Sequence, residues 1–103
     1  MPFYFVVRAT VADASKRRAF DNWYSREHLP QALKAFGANK AWRFWSDLDP
    51  SVHQAVYRFN DRGSLDRAIN SDDMKQLVAD FDKDWPGIPR TRDIQSLAEE
   101  VSG

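Results

Sequence analysis

Cysteine is absent from the 103 residues. Its absence excludes disulfides, thiolate nucleophiles and cysteine-ligated metals. Glycine is scarce, with four residues and no cluster among them, so there is no glycine-rich phosphate cradle. Charge of one sign is also missing: 15 basic and 15 acidic residues balance. Nucleic-acid and membrane-surface binding draw on a net basic face, so neither partner is expected. No apolar run approaches the roughly 20 residues that span a bilayer. The opening MPFYFVVRAT enters an alternating strand pattern at once, without the charged region and cleavage site of a targeting segment. The expectation is a cytoplasmic chain folding as a single domain over residues 1–103. That is near the lower end of comfortable size, where oligomerisation helps to cover apolar surface.

Aromatic residues are plentiful instead. Four Trp, seven Phe and three Tyr make up 14% of the chain; such side chains dominate buried area and also form flat walls for planar ligands. Phe3, Phe5, Val7, Ala9 and Val11 alternate with Tyr4, Val6, Arg8 and Thr10, which predicts a half-buried strand. Asp13 or Ser15 can cap a following helix, in which Phe20, Trp23, Tyr24, Glu27 and His28 share one face. Pro30 disfavours helical dihedrals at Leu29, so the helix is expected to end or bend there. PQALKAF then adds a further helical stretch that Gly37 terminates.

Residues 39–47 and 52–59 read as two strands joined by the turn residues DLDPS. A helical region opening at Gly63 is interrupted near Asn70. Ser71 caps its stronger continuation, where Met74, Leu77, Val78, Phe81 and Trp85 form an apolar stripe. PGIP ends that helix, and residues 90–97 read as the last strand.

The order is therefore β-α-β-β-α-β, the split βαβ pattern of an α+β ferredoxin-like sandwich, with helices on one face of a four-stranded antiparallel sheet. Alternation assigns Phe3, Phe5, Val7, Trp42, Phe44, Ala55, Tyr57, Phe59 and Ile94 to the helix side. The other side carries Tyr4, Val6, Arg8, Arg43, Trp45, Gln54, Val56, Arg58, Thr91 and Asp93. Two readings of that second face stand. It is either solvated or covered by a partner, with its arginines then paired to acids such as Asp93 or to a bound anion, because a buried guanidinium left alone is too costly.

The run WYSREHLP places Tyr24, His28 and Pro30 in an aromatic-x3-His-x-Pro arrangement, and Gly37 follows before the second strand. In these features the chain resembles the small EthD-like members of the dimeric α/β-barrel superfamily. The segment SDDMKQLVADFDKDW, with Asp80 and Phe81, is similar to that group's second helix, and the likeness covers nearly the whole chain. The resemblance implies that two ferredoxin-like subunits pair sheet to sheet into an eight-stranded barrel. A homodimer interface would then bury the face bearing Arg8, Arg43 and Arg58. The resemblance also implies a ligand seated between the helices and sheet of each subunit. The superfamily includes cofactor-independent monooxygenases acting on polyphenolic substrates, lactone isomerases, haem-handling enzymes and members without known activity. A fold hosts many activities, so function has to be argued from the site.

His28 is the leading chemical candidate. Histidine titrates near about 6.5 and can accept or donate a proton under cellular conditions. It shares a helix face with Tyr24 and adjoins Glu27, which could orient the ring or stabilise its cation. A cleft lined by Trp23, Tyr24, Trp42, Phe44 and Tyr57 could hold a small, flat, aromatic or quinone-like molecule. His28 would act there as general base, and Tyr24 would donate a hydrogen bond to the resulting oxyanion. The competing reading has His28 satisfying a backbone carbonyl near the helix end and packing on Pro30.

No metal site is expected, since no HxxxH spacing occurs and His53 reads as a solvated strand residue near the hairpin turn. A haem held by His28 alone is the one prosthetic group the resemblance leaves open; no cofactor is expected. No GxSxG elbow is present. The function expected is a small cofactor-independent enzyme, monooxygenase or isomerase in type. The alternatives are a non-catalytic small-molecule-binding or stress-related dimer using the same aromatic cleft, and a purely structural dimer whose cleft its own side chains fill.

Overall fold

The strand predicted at the N-terminus is β1, Phe3–Thr10, and it occupies an interior position of the sheet. A computed structural model describes all 103 residues. It adds β2 at Lys40–Trp45, β3 at Val52–Phe59 and β4 at Arg90–Ser96 in the order β2-β3-β1-β4, with every neighbouring pair antiparallel. The helices are α1 (Arg17–Trp23), α2 (Leu29–Phe36), α3 (Arg62–Ile69) and α4 (Asp72–Asp84). This is the expected ferredoxin-like α+β arrangement. No helix is long and apolar enough to cross a membrane.

Local chemistry sets most helix ends. The Asp13 carboxylate accepts from the Ser15 amide and starts a short 3-10 turn at Ala14–Lys16 that leads into α1. Asp61 caps α3 through the Ser64 amide, and the Ser71 hydroxyl caps α4 through the Met74 amide. Gly37 ends α2 at φ +67°, a left-handed conformation that glycine adopts without a Cβ clash.

Pro30 does not end the helix. Residues Tyr24–His28 form a π turn in which the Leu29 amide reaches back to the Tyr24 carbonyl, and Pro30 sits in the first turn of α2. In a regular α-helix the proline ring would strike the carbonyl four residues earlier. Widening the preceding turn relieves that conflict and lets one continuous rod run from α1 to α2. The widened turn carries Glu27 to the exposed side and leaves Tyr24 and His28 buried. Glu27 therefore does not share the face of His28 as the regular spacing suggested.

The core lies between the sheet and these helices. Phe20 of α1 is fully buried and meets Trp45, His53, Phe81 and Trp85 edge to face at 5.3–5.9 Å between ring centroids. Truncating such an aromatic hub typically costs about 3–5 kcal/mol. The other sheet face has no helix over it. The molecule is thus a slab 21 Å thick, with a radius of gyration of 14.0 Å, slightly above the roughly 13 Å of a rounded domain of this length.

The register of β2 corrects one expectation. Ala41, Arg43 and Trp45 lie opposite Tyr57, Ala55 and His53, whereas Trp42 and Phe44 lie opposite Val56 and Gln54. Trp42 and Phe44 therefore face away from the helices, and Arg43 faces toward them. Side chains alternate with a period of two, so an error of one residue in register transfers a whole strand's set to the opposite face.

Candidate functional site

A cavity of about 30 Å³ lies between α4, the π turn and the sheet. Tyr24 and His28 reach it from the π turn, Tyr57 and Phe5 from the sheet, and Met74, Leu77, Val78 and Phe81 from one face of α4. Arg90 and Arg92 of β4 complete the rim. They share strand parity with Ile94, so they point to the helix side at the sheet edge. A volume of this size accommodates about one or two waters. A haem on His28 does not fit the site as it stands, because the space is far smaller than a porphyrin.

His28 is buried, with 8% of its surface exposed. Its ring stacks on Trp23 at 4.6 Å and 18°, and meets Tyr24 edge to face at 4.9 Å. Its Nδ1 is buried without a hydrogen-bond partner. Burial, and then the Arg90 guanidinium, push its pKa down to about 4, while Asp80 and Asp84 act in the opposite direction. The ring is consequently neutral at pH 7 and free to accept a proton.

Tyr24 and Tyr57 are both buried and line the same cavity. Burial raises both; Tyr24 is pushed up to about 12. The Tyr24 hydroxyl therefore keeps its own proton at pH 7.

A second imidazole lies behind this pair. His53 is completely buried, with its ring centroid 4.5 Å from that of Tyr24 and 4.9 Å from that of Trp45. This corrects its reading as a solvated strand residue. Arg43 Nη1 stands 3.2 Å from His53 Nε2 and donates at 2.9 Å to Asp21 Oδ1, which also accepts from Trp45 Nε1 at 2.8 Å. Because a guanidinium only donates, Nε2 accepts and Nδ1 carries the proton; Nδ1 has no partner. Burial first, and Arg43 next, push His53 down to about 4. The Trp45 indole and Arg43 hold Asp21 below the usual carboxylate range.

Of the residues expected in the cleft, the structure brings together His28, Tyr24 and Tyr57 at the cavity, with Trp23 packed behind the imidazole. Trp42 and Phe44 are absent from it because β2 presents its other parity. For the same reason Arg43 does not belong to the bare face with Arg8 and Arg58; its side chain is 17% exposed and bonded to Asp21. Arg90 and Arg92 were not anticipated, although their parity with Ile94 was readable. No three His, Cys, Asp or Glu side chains group as a metal site would require.

The strand order and the helices on one face define a ferredoxin-like α+β fold, with a cavity between the two layers. No protein-family model and no curated protein matches the sequence. Solved structures do match the fold. An ethyl tert-butyl ether D (EthD) family protein from Bacillus halodurans superposes with a TM-score of 0.75 at 20% identity, covering 94% of this chain and 99% of its own. SnoaB, a cofactor-independent oxygenase from Streptomyces nogalater, gives 0.75 at 13% identity, with 99% and 98% covered. A protein described as an antibiotic biosynthesis monooxygenase gives 0.64 at 11% identity, with 94% and 99% covered. Identities this low establish shared architecture, and the chemistry rests on the residues at the cavity.

Proposed function

We propose that this chain is a small enzyme of the cofactor-independent monooxygenase or isomerase kind. It acts on a planar aromatic or quinone-like molecule as a cytoplasmic homodimer built from one 103-residue domain. His28 is the general base. The observation that carries the reading is a neutral imidazole bordering an apolar cavity beside a buried phenol. The fold shared with a cofactor-independent oxygenase supports the general kind.

In the proposed step, the imidazole takes a phenolic or activated carbon-bound proton, and Tyr24 donates to the oxyanion that forms. Both groups are already held at the cavity by burial, so little reorganisation is needed as charge develops. The base is weak in the empty site. Protonating a ring of pKa about 4 rather than 6.5 costs about 3 kcal/mol more. An imidazolium and a substrate anion about 4 Å apart regain about 4 kcal/mol at the effective dielectric of a protein site, enough to offset that cost. Met74, Leu77 and Val78 must yield to admit the ligand, and an unbranched methionine does so readily.

The small cavity favours a second reading, a binding protein without turnover. His28→Ala distinguishes the two when naphthols and dihydroxynaphthalenes are screened for binding, oxidation and hydrogen exchange. Catalysis predicts wild-type turnover that falls about 100-fold or more in the variant, with far-ultraviolet circular dichroism unchanged. Full turnover in the variant rules out the base. Unchanged affinity with no turnover in either protein selects the binder.

A further inference from the structure

We infer that the ligand of this cavity carries an anionic group on its planar body, and that the Arg92 guanidinium at the rim binds it. The inference rests on the cavity being a ligand site, as proposed above, and adds the charge of the ligand and its orientation.

Two cations border the cavity, and only one is engaged. Arg90 forms an ion pair with Asp82, and its guanidinium carbon lies 3.9 Å from the centroid of the Phe81 ring. Arg92 makes no ion pair and no side-chain hydrogen bond, although it borders the same cavity. Asp80 and Asp84 on α4 make no ion pair with Arg92, and their hydrogen-bond donors are neutral. Asp80 accepts from Gln76 Nε2 at 2.9 Å, and Asp84 accepts from Trp23 Nε1 at 3.0 Å. Asp93 follows Arg92 in sequence but lies on the opposite sheet face, where it accepts from Gln95. A guanidinium without an ion-pair partner therefore stands at the edge of a mostly apolar space. A guanidinium presents a planar fork of donors that matches a carboxylate.

Position along β4 gives the ligand its direction. Arg90 is close enough to His28 to bear on its ionisation, whereas Arg92 is two residues further along the strand, about 7 Å away at the usual rise. A ligand with its anion at Arg92 thus presents its far end to His28. A fused bicyclic body with an acid at one end and an ionisable hydroxyl at the other spans that distance.

The pair 6-hydroxy-2-naphthoate and 6-hydroxy-2-naphthamide tests this, since the two share a shape and differ by one charge. Binding is followed at pH 7.5 and low salt by nuclear magnetic resonance of the His28 ring. Wild type is expected to bind the carboxylate at least tenfold more tightly than the amide, with the ratio falling as salt rises. In Arg92→Gln the ratio should approach one, chiefly through weaker binding of the carboxylate; Arg92 is exposed, and thermal unfolding checks that the fold is intact. Arg18→Gln, an exposed arginine on α1, should leave the ratio as in wild type. Equal affinities in wild type, or a ratio that survives Arg92→Gln, overturn the inference and leave the cavity reading standing. Failure of both probes to perturb His28 overturns the cavity reading and the inference together.

Discussion

His53→Gln isolates the contribution of the fully buried imidazole to acid stability. In the unfolded chain a histidine titrates at about 6.5; in the fold, burial and Arg43 bring His53 to about 4. Between those values the unfolded chain binds more protons, so stability falls as pH falls. Above about 6.5 the contribution is fully present, and below about 4 its loss is complete, at about 3 kcal/mol. Integrating between pH 7 and pH 5 gives a loss of about 2 kcal/mol from this ring alone. For a small protein that lowers the urea midpoint on the order of 1 M. Glutamine cannot titrate, and its carbonyl oxygen can still accept from Arg43.

The measurement is the shift in urea midpoint between the two pH values, compared between wild type and variant. The variant loses ring contacts with Phe20, Tyr24 and Trp45, so its stability at pH 7 also changes, and only the pH increments are comparable. The increment should be smaller in the variant by on the order of 1 M. His28, depressed by the same burial mechanism, contributes its own loss in both proteins. Equal increments would refute the reasoning, as would a His53 ring resonance that titrates between pH 6 and 7.

Arg43→Met removes the guanidinium between Asp21 and His53, leaving His53 Nε2 a buried acceptor without a donor. A loss of about 2–3 kcal/mol in urea unfolding at pH 7 is expected, and a change within about 0.5 kcal/mol, as at ordinary surface positions, would contradict the network. Val56→Glu places a charge at the centre of the bare sheet face, opposite Val6 and Trp42. Sedimentation should give twice 11.9 kDa for wild type and 11.9 kDa for the variant, with the His28 resonances unchanged; an 11.9 kDa wild type refutes pairing.

Sequence signals were most legible where the physics is local. The β1 alternation, the Ser71 cap and the Gly37 stop each depend on a few neighbouring residues, and each appears where its pattern places it. His53 was equally readable in principle, because it shares parity with Ala55, Tyr57 and Phe59. Its polarity outweighed that pattern, and the compensating Arg43 could not be seen until β2 was in register. The parity of β2 was not legible, since Trp42 and Phe44 on one side and Trp45 on the other make either face plausible. Its register is fixed by the hairpin, where the Ser46 amide bonds to the Val52 carbonyl. Pro30 signalled a disturbance, but whether the helix stops or widens depends on what the next turn packs against. Burial of Ala32 and Phe36 in α2 makes continuation favourable.

The same register that takes Trp42 and Phe44 out of the cavity supplies the bare face with apolar surface. Phe44 is 51% exposed, and it shares that face with Tyr4, Val6, Trp42 and Val56. Its arginines number one fewer than the sequence suggested, because Arg43 lies beneath α1. Arg8 is held by Gln54 and Arg58 by Asn39, neutral side chains that orient a guanidinium without cancelling its charge. Pairing of two such faces would therefore need acids across the interface, and Asp93 and its symmetry mate are the carboxylates this face offers. The cavity opens on the opposite side of the sheet, so substitutions on the bare face should alter association while leaving the His28 environment intact. If the two proved inseparable, the sheet would be transmitting strain between its faces, and the independence assumed for Val56→Glu would fail.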